Sequence, residues 1–534
     1  MSERSHKSET VSQPFRPNSL DYYQTVQQLR TQDDWSSGQQ YKTAFFFHPH
    51  SVPEKTMTAE ILVVPKDGKG HLFPCLQLCN HLTSRNYHIT LILESDLTSS
   101  IPSCLLHSPL FRLTILSSCS TPSPFPSRHT LQGLEPLLAQ LRPDPTRPVF
   151  AVIDHIMSKT QEVFWKFGIP TVVFITSGAA WAAIQHAVWV VRPGDMKPGE
   201  ARALPGLPEN MVVTYSDLQQ RRAWIPSPPP HKKPSQSGGP GGMKPPRGPP
   251  LPGEPAPWVE EVKSSSAILI NTCDDLERPF LDYVSELTGK PVWGVGPLLP
   301  EQYWQSFESL VNDPEIRPKR ESNYTEDEVI QWLDSKPRGS VVYVSFGSEV
   351  NPTEEEYPEL AKALEESTRP FIWVIQRKSG KPGPGSGPPG ESYFPHGLDA
   401  KVGKRGLIIH GWAPQLLILS HASAGGFISH CGWNSTLEAV VRGVPLLAWP
   451  IRGDQYYNAK MVVSYLRVGS LVAEGYPADK VTKEDIVVGL ERILEDEEIR
   501  KRSAAIRDKF ENGYPASSLA SLDAFCDFVN NKFV

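Results

Sequence analysis

The sequence lacks features that would place it in several common classes of protein. Its 534 residues contain no run of about 18 apolar residues, so we expect no membrane-spanning segment. Its net charge is -6, so no basic excess points to nucleic acid or to an acidic membrane surface. No two of the seven cysteines have C-x-x-C spacing, which argues against a disulfide framework or a zinc site.

Two motifs of nucleotide-binding proteins are also missing. The chain contains no Asp-x-Asp pair to hold a diphosphate-bound metal, so we predict no metal requirement and no cofactor. A nicotinamide-dependent oxidoreductase would carry G-x-G-x-x-G after its first strand, where this chain reads Lys66–Gly70 followed by His71. The glycines of 383–390 are interrupted by prolines, which cannot open a helix as that motif requires. Such an oxidoreductase therefore stays a distant alternative.

The first 57 residues are polar and show no sustained apolar period. We predict that 1–57 is a disordered extension with a short helix near Leu20–Leu29. The extension lacks the apolar core of a secretory signal and is not depleted in acidic residues as an organelle transit peptide is. These features favour a cytoplasmic protein. An alternative is that translation begins at Met57, just before the first predicted strand.

From residue 60 onward, short apolar strands alternate with amphipathic helices in two successive series. This pattern predicts an α/β fold with two parallel sheets, each covered by helices on both faces. The predicted domains are 58–293 and 324–512, joined by a linker at 294–323 and followed by a last helix in 513–534. Two such halves place a ligand cleft at the carboxyl ends of their strands.

One segment of the first half interrupts this alternation. Residues 226–257 are rich in proline and glycine and poor in large apolar side chains, so they cannot form a packed core. We interpret them as a flexible surface insertion. A docking site for a proline-binding partner is the alternative.

The most informative stretch runs from Trp412 to Gln455 and covers three predicted strand-to-helix transitions. In the middle one, Gly432 and the next residues open a helix directly after a strand. Glycine allows close backbone approach, and free N–H groups at a helix start favour an anion. His430 and Ser435 add side-chain donors. An ordinary capped helix is the alternative.

If the anion at this turn is the diphosphate of a nucleotide sugar, the side chains around it suit the base, the ribose and the sugar. Trp412 follows a predicted strand and either stacks on a base or belongs to the core. Glu438 lies one turn into the helix, where its carboxylate can accept hydrogen bonds from two ribose hydroxyls. If they face the cleft, Asp454 and Gln455 suit the hydroxyls of a sugar, whereas a simple helix cap is the alternative for Asp454. Ser348, after another strand, can reach a phosphate or the sugar, and ordinary turn chemistry is its alternative. Together these residues predict a nucleotide-sugar site.

The first half supplies a candidate general base. His71 lies at the turn between the first strand and the first helix, and a histidine there can take up a proton near neutral pH. Asp154 ends a later strand. If the two strands are neighbours, its carboxylate can fix the His71 tautomer and stabilise the charged imidazole.

These residues resemble a known family. The Trp412–Gln455 stretch is similar to the signature box of the plant UDP-dependent glycosyltransferases of secondary metabolism, which begins WxPQ, centres on HCGWNS-x-x-E and ends DQ. Gly70-His71-x-x-Pro74, the run Val341–Ser348 and Gly294–Leu299 also resemble this family, and the resemblance covers 59–534.

The resemblance implies a GT-B fold, with the acceptor in the first Rossmann-like domain and the UDP-sugar in the second. It implies His71 as the base and Asp154 as its partner. The UDP-sugar-binding positions that it implies are Trp412 and Gln415 for uracil with Ala413 beside them, Glu438 for ribose, His430, Asn434 and Ser435 for the diphosphate, Trp433, Asp454, Gln455 and Thr176 for the sugar, and Ser348.

The resemblance further implies an inverting glucosyltransferase that moves glucose from UDP-glucose, as co-substrate, to a phenolic or flavonoid hydroxyl, giving a β-O-glucoside. A closing Gln, here Gln455, tends to accompany glucose in this family. UDP-galactose, UDP-xylose or UDP-rhamnose as donor and a terpenoid or hormone as acceptor are alternatives, and a non-catalytic nucleotide-sugar binder is a distant one. We expect a monomer whose partners are small molecules, with no nucleic acid.

Overall fold

The structure, a computed structural model, describes residues 59–94, 98, 100–116, 126–140, 149–222, 256–305, 307, 310, 321–375, 395–474 and 480–533. The predicted N-terminal extension, most of the predicted insertion and part of the predicted linker lie outside this range. Within it, no helix has the length and apolar character needed to cross a membrane.

The first half of the chain forms a seven-stranded parallel sheet and a small antiparallel hairpin. Its strands are β1 Glu60–Val64, β2 His88–Glu94, β3 Phe111–Leu116, β4 Val149–Asp154, β5 Thr171–Ile175, β6 Ala201–Ala203, β7 Val212–Thr214, β8 Ile268–Ile270 and β9 Val292–Gly294. The sheet order is β3-β2-β1-β4-β5-β8-β9, and β6 pairs with β7. Because β1 and β4 are neighbours, their carboxyl ends meet at one edge of the sheet.

Helices connect these strands. They are α1 Lys69–Thr83, α2 Ser103–Leu106, α3 Pro126–Gln140, α4 Gln161–Lys166, α5 Ala179–Val191, α6 Tyr215–Arg222, α7 Pro257–Val262 and α8 Asp274–Thr288. The apolar spacing of 157–167 predicts one helix between β4 and β5, but the structure has a 3₁₀ turn, His155–Thr160, followed by α4. The predicted insertion is also too long at its end, because Ala256 is buried and Pro257 begins α7.

The second half forms a six-stranded parallel sheet. Its strands are β10 Val341–Ser345, β11 Phe371–Ile375, β12 Gly406–His410, β13 Ala424–Ser429, β14 Leu446–Ala448 and β15 Gly469–Leu471. Their order is β12-β11-β10-β13-β14-β15. Strands β10 and β11 are buried along their whole length, which explains why the sequence shows continuous apolar runs there and no alternation.

The helices of the second half are α9 Glu326–Asp334, α10 Glu356–Glu366, α11 Leu398–Val402, α12 Gln415–Ser420, α13 Trp433–Val440, α14 Gln455–Lys460, α15 Lys483–Glu495, α16 Glu497–Lys509 and α17 Ala516–Phe533. The sequence of 454–466 predicts one continuous helix, but the structure has α14 followed by a π-helical turn, Met461–Leu466.

The last helix returns to the first sheet. Leu522, Phe525 and Val529 of α17 are fully buried in the same core cluster as Ile61 and Phe150. Phe525 packs edge-on against Phe150, with the ring centroids 6.1 Å apart. Burial of each such side chain contributes about 1.5–3 kcal/mol, so α17 fastens the end of the chain to the first half.

The described part of the predicted linker is packed against the second half. Tyr303 is fully buried, and its hydroxyl donates to the Glu438 backbone carbonyl at 2.5 Å. The Arg442 guanidinium lies over the Tyr303 ring, 4.1 Å from its centroid. Tyr303 therefore attaches this part of the linker to the second half.

Candidate active site

The carboxyl ends of the two sheets border one cavity of about 620 Å³. Residues from both halves line it. All the side chains predicted from the sequence lie on its wall except Asp154, which is buried behind His71. The candidate residues are thus brought together although they are far apart along the chain.

His71 and Asp154 are in contact across 83 residues of sequence. His71 lies in the first turn of α1, directly after β1, and Asp154 is the last residue of the neighbouring β4. The distance from His71 Nδ1 to Asp154 Oδ2 is 2.7 Å. The Asp154 side chain is fully buried, whereas the His71 side chain is 25% exposed. An Nδ1–H donated to the carboxylate leaves Nε2 as the ring nitrogen that can accept a proton.

The surroundings of Asp154 keep its carboxyl group ionised. Burial raises the pKa of Asp154, but the attraction and hydrogen bond of His71 and the backbone N–H of Ile156 outweigh burial and leave this pKa below its ordinary value. Thr176 Oγ1 lies 3.0 Å from His71 Nδ1. The structure therefore places Thr176, which the family resemblance implied as a sugar contact, against the candidate base as well as on the cavity wall.

His155 is a cavity residue that the sequence analysis missed. It is buried, its Nδ1 lies 3.5 Å from Asp154 Oδ1, and its ring packs on Trp181 at a centroid distance of 5.0 Å. Burial lowers the pKa of His155 to about 4, so the ring is neutral at pH 7. The available signal was its position directly after the strand-end Asp154.

Gln415 organises one end of the site in the second half. Its Oε1 accepts from the Tyr343 hydroxyl at 3.1 Å. Its Nε2 donates to Ser435 Oγ at 2.9 Å and to Glu438 Oε2 at 2.5 Å. Three predicted residues therefore form one hydrogen-bonded group, which fixes the direction of the Glu438 carboxylate.

Glu438 has an altered acidity in this environment. Burial raises the pKa of its carboxyl group to about 7, although the hydrogen bond from Gln415 acts in the opposite direction. A ligand that donates to this carboxylate therefore binds its ionised form and competes with protonation near neutral pH.

The turn between β13 and α13 is shaped around His430. Burial lowers the pKa of His430 to about 4, so its imidazole is neutral at pH 7. A Cβ atom at Gly432 would lie 2.4 Å from the ring, and a Cβ atom at Gly347 would lie 2.8 Å from it. Cys431 adopts a left-handed backbone conformation with φ 59°. The two glycines therefore make room for the His430 ring beside the start of α13.

Trp433 and Asn434 reach across to the first half. The Trp433 indole N–H donates to the Asn271 carbonyl at 2.7 Å. A Cβ atom at Gly178 would lie 2.6 Å from the Trp433 ring, so only glycine fits there. Asn434 Nδ2 lies 3.5 Å from the Gly70 carbonyl, next to the candidate base. The residues at the start of α13 thus also join the two halves.

Asp454 and Gln455 lie at the start of α14, and both are engaged in hydrogen bonds. Asp454 Oδ2 accepts from Ser177 Oγ at 2.9 Å, a further contact with the first half. Gln455 Oε1 accepts from the backbone N–H groups of Ile451 and Arg452, each at 2.9 Å. These bonds hold the Gln455 amide in one orientation, with its Nε2 end left for a ligand.

Glu277 supports the first half of the site and was also missed. It is fully buried, and its two carboxylate oxygens accept from the backbone N–H groups of Ala179 and Ala180 at 2.9 Å. Burial raises the pKa of Glu277. The acidic first turn of α8 thus holds the start of α5 in place, and only the fold brings the two together.

Comparison with known proteins gives a consistent result. A family model described as UDP-glucoronosyl and UDP-glucosyl transferase matches residues 311–509. A scopoletin glucosyltransferase of Nicotiana tabacum is 28% identical over 83% of this chain and 92% of its own length. UDP-glycosyltransferase 73B3 of Arabidopsis thaliana is 31% identical over 67% of this chain and 68% of its own length.

Solved structures agree with the fold described above. A transferase from Siraitia grosvenorii in complex with UDP superposes with a TM-score of 0.67 at 25% identity and covers 88% of this chain and 100% of its own. A Medicago truncatula enzyme complexed with UDP-glucose has a TM-score of 0.67 at 24% identity, with 89% and 98% coverage. The predicted GT-B architecture is therefore confirmed.

Proposed function

The chain belongs to the family of plant UDP-glycosyltransferases, and from this membership we propose that it transfers glucose from UDP-glucose to a hydroxyl of a phenolic or flavonoid acceptor. Members of this family move a sugar from a UDP carrier to small-molecule acceptors, so the enzyme class is established. The proposal adds the sugar, the acceptor class and the roles of the residues. Its product is a β-O-glucoside.

The observation that carries the proposal is the His71–Asp154 contact beside a cavity whose opposite wall is the Trp412–Gln455 stretch. A histidine oriented by a buried carboxylate is the arrangement that a general base needs. A donor site without such a base would bind a nucleotide sugar but would not activate an acceptor hydroxyl.

UDP binding is assigned to the residues around Gln415. Trp412 stacks on the uracil ring, with Gln415 and Ala413 at its edge. Glu438 accepts hydrogen bonds from the two ribose hydroxyls. Support comes from the bond between Gln415 and Glu438, which leaves the carboxylate with further acceptor capacity, and from the position of all these residues on the cavity wall.

The diphosphate is assigned to the start of α13. The backbone N–H groups of its first turn and the helix dipole favour an anion there. Asn434 and Ser435 add side-chain donors, and the neutral His430, whose ring already contacts the Ser345 backbone, lies beside them on the cavity wall. Ser348, in the turn after β10, lies on the same cavity and is a further candidate donor.

The sugar is assigned to the space between the two halves. Gln455 Nε2 and Asp454 contact its hydroxyls, with Trp433 and Thr176 on either side. Support comes from the Asp454–Ser177 bond and the Trp433–Asn271 bond, since both draw this region of the second half toward the base.

The reaction is a single displacement at the anomeric carbon. His71 Nε2 takes the proton from the acceptor hydroxyl while the acceptor oxygen forms its bond to that carbon. The bond between the anomeric carbon and the β-phosphate oxygen breaks, and its electrons leave with UDP. Asp154 stabilises the imidazolium, and attack from the face opposite UDP inverts the configuration. Holding both substrates in one cavity supplies much of the rate by orientation.

The proposed mechanism uses no metal, because backbone N–H groups at the start of α13 and neutral side-chain donors stabilise the negative charge of the diphosphate by hydrogen bonds. Dialysis against EDTA is therefore expected to leave the rate of UDP release within about twofold of its starting value. Recovery of a lost rate by Mg²⁺ or Mn²⁺ would contradict this part of the proposal.

The direct test is an acceptor screen with the purified protein. UDP release is followed with UDP-glucose and a panel of flavonols, coumarins, simple phenols, terpenoid alcohols and abscisate, and each product is identified by mass. We expect a gain of one hexose on phenolic acceptors and weaker use of UDP-galactose, UDP-xylose and UDP-rhamnose. Turnover of terpenoid or hormone acceptors alone would contradict the acceptor class and leave the enzyme class intact.

A further inference from the structure

Tyr343 is a buried tyrosine that the proposed mechanism does not use. It lies in the middle of β10, it is 1% exposed, and its ring packs on Phe427 with the ring centroids 4.9 Å apart. A phenylalanine would fill this place in the core without bringing a hydroxyl that needs a hydrogen-bond partner. The Tyr343 hydroxyl has its partner in the candidate donor site, where it donates to Gln415 Oε1 at 3.1 Å.

The hydrogen bonds that reach Tyr343 from its own strand set the direction of its hydroxyl. The Gly347 backbone N–H donates to Ser345 Oγ at 3.4 Å, and the Ser345 side chain is hydrogen-bonded to the Tyr343 hydroxyl. A backbone N–H can only donate, and a serine hydroxyl has one hydrogen. Ser345 therefore gives its hydrogen to Tyr343, which leaves the hydrogen of Tyr343 for Gln415.

The other end of this chain of hydrogen bonds is a group that only accepts. Gln415 Nε2 donates to Glu438 Oε2 at 2.5 Å and to Ser435 Oγ at 2.9 Å. An ionised carboxylate has no hydrogen to give in return. The Gln415 amide is therefore held between a donor on β10 and an acceptor on α13, and only one of its two orientations satisfies both.

Reversal of the Gln415 amide would disturb the carboxylate beside it. Gln415 Oε1 would then face Glu438 Oε2, so that two acceptors would oppose each other at hydrogen-bond distance. The Glu438 carboxylate would have to turn away, and the oxygens assigned to the ribose hydroxyls would move with it. The direction of Glu438 thus depends on a hydroxyl that comes from another strand.

We propose that Tyr343 is a positioning residue for the UDP-sugar: its hydroxyl selects the orientation of the Gln415 amide and so directs the Glu438 carboxylate at the two ribose hydroxyls. Tyr343 acts through Gln415 and makes no hydrogen bond of its own to the ribose. The arrangement favours a nucleotide in which both ribose hydroxyls are present. This inference rests on the proposed assignment of the ribose to Glu438.

The test compares the Kd of UDP with that of 2′,3′-dideoxy-UDP, which lacks both ribose hydroxyls, by isothermal titration calorimetry. The wild-type protein should prefer UDP about 30-fold or more, as two hydrogen bonds to a charged group provide. Tyr343→Phe keeps the ring and removes the hydroxyl. Its Kd for UDP should rise about tenfold and its Kd for the dideoxy compound should stay within about twofold, so the preference falls about tenfold.

Tyr357→Phe is the matched control. It also removes a hydroxyl from the interior of the second half, one that donates to Asn351 at 2.7 Å, but Tyr357 does not line the cavity. This variant should keep the wild-type preference for UDP. Thermal unfolding of both variants measures what the loss of a buried hydroxyl does to the fold itself.

A double variant shows whether Tyr343 acts through Gln415. Gln415→Leu removes the amide, so it should lower the preference for UDP by itself. Addition of Tyr343→Phe to Gln415→Leu should then change the preference by less than about twofold, because no amide remains to be oriented. A further fall of about fivefold or more would overturn the proposal, since Tyr343 would then act by another route.

The outcomes separate this inference from the assignment on which it rests. Equal Kd values of UDP and the dideoxy compound for the wild-type protein overturn the assignment of the ribose to Glu438 and this inference with it, and leave the transferase activity standing. A wild-type preference that Tyr343→Phe retains overturns only the role of Tyr343. An equal fall of the preference in Tyr343→Phe and Tyr357→Phe indicates a general loss of packing and also overturns that role.

Discussion

The two halves of this molecule build their parts of the site in opposite ways. In the second half, the candidate donor-binding side chains from Trp412 to Gln455 lie within one continuous stretch, and three of them, Gln415, Ser435 and Glu438, bond to each other. In the first half, His71 and Asp154 meet only because β1 and β4 are neighbours in the sheet. One part is local in sequence, and the other depends on the sheet order.

This difference indicates how each half tolerates change. A local, mutually bonded group keeps its geometry as long as two or three short turns are preserved. The His71–Asp154 pair instead requires that β1 and β4 remain neighbours in the sheet. The contacts that join the halves, Trp433 with Asn271 and Asp454 with Ser177, fix the alignment of the two parts.

The largest expected effect is the loss of the base. His71→Ala removes the proton acceptor, so kcat should fall by about 10²- to 10⁴-fold, as for other general bases. Steady-state UDP release measures it. His107→Ala, which removes an exposed histidine of the same half, is the matched control and should keep the wild-type rate. A kcat within threefold of wild type for His71→Ala would mean that His71 is not the general base.

Next in size is the change of Asp154 to Asn. The substitution removes the negative charge that stabilises the imidazolium and the acceptor that fixes the His71 tautomer, so kcat should fall by about 10²-fold or more. The Tm is measured alongside, because Asp154 is buried. Asp282→Asn, at an exposed site of the same half, provides the control. A folded variant with full activity would mean that His71 acts without an orienting partner.

Much of the fold was predictable from the sequence because buried parallel strands read as short apolar runs, such as β10 and β11. The hairpin of β6 and β7 and the helix α6 were not predicted, since three-residue strands carry too little pattern. The π-helical turn after α14 was missed because its apolar spacing resembles that of an ordinary helix.

The site likewise has features that the sequence predicts and features that it does not. Spacing alone placed Glu438 near the turn that holds His430. No spacing could reveal that Glu277 supports the start of α5, or that Lys460 and Asp217 meet on the cavity wall from different halves, because these contacts exist only after the sheets have assembled. His155 was missed because its sequence signal, the position directly after the strand-end Asp154, does not reveal that the ring is buried and neutral.

A moderate effect on donor binding is expected from Glu438→Gln. The amide keeps the size of the side chain but loses the charge to which we propose that the ribose hydroxyls donate, so the Kd for UDP should rise about 10- to 30-fold. Isothermal titration calorimetry with UDP measures it, and Glu286→Gln at an exposed position is the control. An unchanged Kd would show that ribose is bound elsewhere.

The smallest effect is a pH dependence of UDP affinity. Because burial raises the pKa of Glu438 to about 7, this carboxyl is ionised above that pH and becomes protonated as the pH falls through it. On the proposed assignment UDP binds the ionised form, so its Kd should rise roughly tenfold from pH 7.5 to 6 and stay nearly constant above pH 8. Glu438→Gln should show a flatter profile, since ionisation of the UDP phosphates is common to both proteins. Equal slopes would contradict the assignment.

The central claim is that the second half binds the donor independently of the base in the first half. The most direct measurement is the affinity of the His71→Ala variant for UDP by isothermal titration calorimetry, on the same preparation that is assayed for turnover. We predict a Kd within about twofold of wild type together with the loss of kcat. A Kd raised tenfold or more would contradict the account, because it would mean that His71 belongs to the donor site.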